Sequence, residues 1–137
     1  MNDFDWQEEW ENAARQEYEY YALATNEQLI QELRNKAWGT HYRIWDVIRD
    51  RKNMSMTFPL FEALKYLNDT YLFHDRRHCT EAIFQLIGLK NKQLKERIIG
   101  PSTSFNEEVF QQALKDLNKK ILKKIISDRL TLPPDIS

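Results

Sequence analysis

Turn-forming residues are scarce in this chain of 137 residues: it holds three glycines, all isolated, and four prolines, two of them adjacent near the C-terminus. An all-β domain needs such residues at every reversal, so their scarcity favours long helices with few connections. Isolated glycines supply no glycine-rich phosphate loop, and no serine stands in a nucleophile-elbow context. A single cysteine, Cys79, excludes an internal disulfide and suits a reducing compartment. No apolar run approaches the roughly 20 residues that span a bilayer. The N-terminus, MNDFDWQEEW, is acidic and lacks the basic start and apolar stretch of a secretory signal. The chain therefore reads as cytoplasmic, with no membrane contact.

What is present points to one folded domain. Hydrophobic residues make up 42% and charged residues 30%, enough apolar material to close a core at this length. Charge is strongly segregated. Residues 1–30 hold eight acids (Asp3, Asp5, Glu8, Glu9, Glu11, Glu17, Glu19, Glu27) against Arg15 alone, a charge of −7, which leaves +6 on residues 31–137. Such polarity bears on association rather than on fold.

Apolar spacing predicts an all-α fold of about seven helices over residues 1–130, followed by a tail, TLPPDIS, over 131–137. From Asp5 to about Ala22, the residues Trp6, Trp10, Ala13, Ala14, Tyr18 and Tyr21 recur every three or four positions and define one apolar face. Thr25 and Gln28 form a capping box for a second helix that Gly39 should end near Ala37. Thr40 is the expected cap of a third helix, with Ile44, Trp45 and Ile48 inward and the basic run Arg49 to Lys52 at its C-terminal end. Pro59 suits the first turn of a fourth helix, with Leu60, Phe61, Leu64 and Leu67 in the core and an end near Asn68. A fifth runs from about His74 to Ile87, burying Cys79, Ala82, Ile83, Leu86 and Ile87 before Gly88. A short sixth spans Lys92 to Ile99. Ser104 and Glu107 form a second capping box for the last helix. Its seam is Val109, Phe110, Ala113, Leu114, Leu117, Ile121, Leu122, Ile125 and Ile126.

The middle four helices form two consecutive antiparallel hairpins, stacked in a HEAT-like or compact-bundle arrangement. The phrase FPLFEALKYLND…RRHCTEAIFQLIGL resembles a HEAT unit: an apolar first helix, a short turn, then a basic start leading into small and aliphatic residues. The resemblance covers residues 26–89 and implies an α-solenoid with a surface for binding macromolecules.

Candidate chemistry is thin. His74 and His78 lie four apart, the spacing that lets two imidazoles reach one zinc ion. A zincin would need glutamate after the first histidine, where this chain has Asp75, and no third ligand follows nearby. A nuclease could use His41, His74 or His78 as acid and base with Arg76 or Arg77 on phosphate, but nothing in the sequence fixes their geometry. Glu8-Glu9 and Glu107-Glu108 are adjacent and so diverge on a helix. Lys115, Lys119, Lys120, Lys123 and Lys124 read as a solvated helix face, because nucleic-acid readers carry more positive excess and interleaved aromatics.

The acidic, aromatic first helix is the feature most suggestive of function. Carboxylates speed encounter with a basic protein, and aromatic side chains anchor interfaces. In size and character the chain resembles bacterial toxin-immunity proteins. That resemblance implies a non-enzymatic inhibitor, without cofactor or metal, that occludes a basic toxin such as a nuclease domain. Its expected contact residues are Glu8, Glu9, Glu11, Glu17, Glu19 and Tyr20. The alternatives are a helical-repeat adaptor or scaffold subunit and, third, a histidine-dependent nuclease or metalloprotein on His74 and His78.

Overall fold

The computed structural model describes residues 5–130, and every regular element among them is helical. Seven α-helices follow in order: α1 (Trp6–Ala22), α2 (Asn26–Arg34), α3 (Arg43–Arg51), α4 (Thr57–Leu64), α5 (Phe73–Ile87), α6 (Lys92–Ile99) and α7 (Glu107–Leu130). Short 3-10 turns at Met54–Met56 and Thr70–Leu72 lead into α4 and α5. The all-α expectation and the helix count hold for the described residues; the tail over 131–137 lies outside them. No helix among them is long and apolar enough to cross a membrane.

Helix starts follow side-chain capping. Asp5 accepts from the amides of Gln7 and Glu8 at 3.1 Å each, and Thr25 and Gln28 complete both halves of their capping box. Each such cap contributes about 1 kcal/mol. Three expected caps are replaced, those at Ser104, Gly39 and Thr40. Asn106, rather than Ser104, accepts from Val109 N at 3.0 Å and starts α7, because it stands one residue before the first helical turn. Gly39 does not end α2. The helix stops at Arg34, and Lys36 takes the left-handed conformation (φ 57°). Ala37 N then reaches Glu32 O at 2.9 Å and Lys36 N reaches Leu33 O at 3.1 Å, the paired bonds of a Schellman motif.

The core is built around α3 and α5. Five successive residues of α3, Ile44 to Ile48, are buried, and α5 packs against α3, α4 and α6 at once. Ile44, Trp45, Ile48, Leu60, Leu64, Leu67 and Ile83 are fully shielded from solvent. Burying one such side chain contributes about 1.5–3 kcal/mol. α4 packs on α5. α2 packs chiefly on α4, and α1 chiefly on α3.

Arg76, a candidate phosphate holder in the nuclease reading, is fully buried. Its guanidinium donates to the carbonyls of Ile99 (2.8 Å), Leu67 (2.9 Å) and Asp69 (2.8 Å), tying the segment after α4 to the C-terminal end of α6. The ring of Phe105 lies 4.8 Å from its Cζ. Burial lowers its pKa from the usual arginine value. An arginine so used cannot hold a substrate phosphate.

The apolar seam is narrower than its spacing implies. Trp6 and Trp10 on α1, and Val109, Leu122 and Ile126 on α7, are exposed. The 24 residues of α7 extend about 36 Å against about 12 Å for the eight of α6, its main packing partner, so periodicity outruns the available surface.

Candidate protein-binding surface

α1 is held on α3 from both ends. Ala14 and Tyr21 are buried beneath it, and Tyr18 donates its hydroxyl to Asp50 at 2.8 Å. At the entry to α3 the chain has no cap of its own: Tyr42 stands at the N-cap position with φ 64° and makes no side-chain capping bond. Thr40, the expected cap, does not fill the role. Glu17 does so from α1. Its carboxylate accepts from His41 N at 3.0 Å, from Thr40 N at 3.3 Å and from Arg43 N at 3.4 Å, and lies 2.8 Å from His41 Nδ1. Gly39 (φ 74°) makes room for it, since a Cβ there would fall 2.5 Å from Glu17 Oε1. At the other end Arg51 donates to the carbonyls of Tyr21 (3.2 Å), Ala22 (3.1 Å) and Ala24 (2.6 Å), closing the C-terminus of α1.

This anchoring divides the six expected contact residues. Glu17 is turned into the α1–α3 junction. Glu8, Glu11 and Glu19 lie on one face of α1 by their spacing of three and eight, with Arg15 between them bonded to Asn12 at 3.2 Å. Glu9 and Tyr20, eleven apart, share a second face. All five are exposed, Tyr20 by 68%. None of the four carboxylates is ion-paired among the described residues. Glu11, Arg15 and Glu19 border a shallow groove of about 470 Å³ together with Tyr18 and Arg43. Leu23, 89% exposed, continues the Glu19 row one turn on. Periodicity could not single out Arg43 or Leu23, because one comes from another helix and the other from a helix end.

Two of the three histidines, His74 and His78, flank Tyr42, while the His41 ring lies against Trp10. The Tyr42 ring lies 5.2 Å from that of His74 and 5.3 Å from that of His78, with His41 adjacent in sequence. His78 Nδ1 lies 3.0 Å from Asp46 Oδ1, and Arg43 donates to Asp46 Oδ2 at 2.7 Å. Burial alone would raise the Asp46 pKa, but these bonds from His78 and Arg43 hold it below its ordinary value. Asp75 accepts from Trp45 Nε1 at 2.8 Å, and there burial wins and raises the pKa. The His78–Asp46 and Trp45–Asp75 bonds tie α5 to α3. No group of three or more His, Cys, Asp or Glu among the described residues converges to hold a metal ion. Cys79 is buried, donates toward Leu60 O at 3.4 Å and has its pKa pushed well up by burial, so its thiol is inert.

No protein-family model, curated protein or solved structure matches the chain.

Proposed function

We propose that the protein is a binding module, an immunity or inhibitor protein whose acidic first helix engages a basic toxin enzyme, such as a nuclease domain, and occludes its active site. The observation that carries this reading is the exposed, ion-pair-free set Glu8, Glu9, Glu11 and Glu19 with Tyr20, borne on a helix pinned at both ends. A carboxylate row raises encounter rates with a cationic surface, and a rigid support lowers the ordering cost of binding. Glu17 contributes by fixing the helix rather than by touching the partner. The test is parallel capture from the native cell with the wild type and with Glu8→Lys/Glu11→Lys/Glu19→Lys as bait. A basic protein should be recovered by the first and lost by the second; equal recovery by both would sink the assignment.

A helical-repeat adaptor is the second reading. It is favoured by the neighbour order, with α3 beside α5 and α2 beside α4. The groove of about 490 Å³ between α2 and α4, with Ile30, Leu33, Phe58 and Tyr66 in its lining, would then be the binding surface. In that case Phe58→Glu should abolish capture, and the triple reversal on α1 should leave it unchanged.

A further inference from the structure

The groove between α2 and α4 combines an apolar lining with positive charge that nothing in the chain neutralises. Ile30, Leu33, Phe58, Pro59, Ala63 and Tyr66 form its walls over about 490 Å³. Phe58 and Tyr66 are 43% and 55% exposed, so aromatic surface faces water there. The rest of the lining is charged: Arg34, Lys36 and Glu62. Glu62 is held by Lys65 at 3.0 Å, whereas Arg34 and Lys36 have no ion-pair partner among the described residues. The Tyr66 ring keeps Lys36 at the lip, with Nζ 4.3 Å from its centroid. That contact joins the segments just past α2 and α4, and Arg34 is the last residue of α2, so both cations stand at one end of the groove. Ile30 lies one turn, about 6 Å, back along α2 from Arg34, and Phe58 stands in the first turn of α4. The other end is therefore apolar.

Concavities of this size, lined by apolar and aromatic side chains with a few polar groups, suit small-molecule ligands. The charge narrows the class. A cationic ligand is repelled by Arg34 and Lys36, a wholly apolar one leaves both cations unmatched, and a bare inorganic anion leaves the aromatic surface wet. We propose that the groove binds a small anionic amphiphile, an alkyl or aryl chain ending in a carboxylate. The chain lies against Ile30, Phe58 and Pro59, and the carboxylate meets Arg34 and Lys36. Burial of apolar surface on both sides drives the contact. The planar guanidinium offers a carboxylate two parallel N–H bonds, and Lys36 adds a compact charge. No residue of α1 lines this groove, so the role is separate from the acidic row and does not rest on it.

The experiment is an NMR titration of the full, isotope-labelled chain with octanoate, and with 1-octanol and octylamine as probes of the head group, all kept below their aggregation thresholds. Octanoate should bind saturably at one site, with amide shifts confined to Ile30–Lys36 and Phe58–Tyr66. Two exposed ion pairs together are worth about tenfold in affinity, so 1-octanol should bind about tenfold more weakly and octylamine more weakly still. Arg34→Gln/Lys36→Gln should weaken octanoate binding about tenfold and leave 1-octanol binding unchanged. Phe58→Glu should abolish binding of both, with unchanged circular dichroism, while Lys119→Gln/Lys123→Gln on α7 should have no effect. Absence of saturable binding, octylamine binding as tightly as octanoate, or equal losses in the two double variants would each overturn the proposal. Failure of octanoate together with self-association or protein capture that Phe58→Glu abolishes would assign the groove to a protein instead, and equally overturn it. Capture of a basic protein by α1 is read separately, through the Glu8→Lys/Glu11→Lys/Glu19→Lys variant, so the two readings fail independently.

Discussion

Replacing Glu17 by alanine removes one carboxylate from α1 and, with it, the cap of a helix that starts 26 residues later. Of its contacts, the bond from His41 N at 3.0 Å and the 2.8 Å contact to His41 Nδ1 are short, while those from Thr40 and Arg43 are long and weak. A hydrogen bond to a charged group contributes about 1.5–3 kcal/mol, and loss of an N-terminal cap costs about 1 kcal/mol. Those terms overlap, because the capping bonds are the charged bonds. A total of about 2–3 kcal/mol follows, equivalent to a fall of about 8–12 °C in the melting temperature for a domain of this size. Glu17→Gln keeps one acceptor oxygen and should cost about half as much. Glu19→Ala, on the exposed face, should stay within about 0.5 kcal/mol of the wild type. Urea unfolding followed by circular dichroism measures all three. Equal stability of the Glu17 and Glu19 variants would refute the assignment of Glu17 as the trans cap of α3.

Three further outcomes follow from buried polar groups. Arg76→Met strands the carbonyls of Leu67, Asp69 and Ile99 and should cost about 3 kcal/mol or more by urea unfolding, with Arg76→Lys unable to restore three separated bonds. Burial, aided by Glu17 and Glu32, raises the Tyr21 pKa from 10.0 to about 12. Its neutral phenol therefore contributes stability that is full below pH 10 and is lost as pH rises toward 12, at most about 2–3 kcal/mol. Tyr21→Phe should flatten alkaline unfolding across that range. Asp46 has the opposite sign: its lowered pKa gives stability that is present above its ordinary value of 3.8 and is lost as pH falls through the folded value. Asp46→Asn should weaken the protein at neutral pH and reduce the acid dependence of its urea midpoint.

Helix existence was legible because each helix carries its own apolar period, and the Thr25–Gln28 box, being local, was legible in full. What periodicity missed involves partners distant in the chain. Glu17 looks like its neighbours in sequence and is distinguished only by a loop 23 to 26 residues away. Arg51 sits in a basic run that suits the dipole of its own helix, yet it closes the C-terminus of α1. Asp46 did carry a signal, an acid flanked by Trp45 and Val47 within a buried run, which marks a paired internal charge. The overhang of α7 depends on the length of α6, which no residue of α7 records. For the acidic surface the residue types were legible, but their division between two faces and an internal anchor was not.

The central claim, that the acidic row of α1 is the surface that engages a basic partner, is tested most directly by association kinetics. Stopped-flow mixing of the captured basic protein with the wild type and with Glu8→Lys/Glu11→Lys/Glu19→Lys, across a salt series, reads the effect as a rate. The wild-type rate should fall steeply with salt, and the variant should associate at least about tenfold more slowly at low salt while the two converge at high salt. Equal rates at low salt, with the variant folded, would contradict the claim.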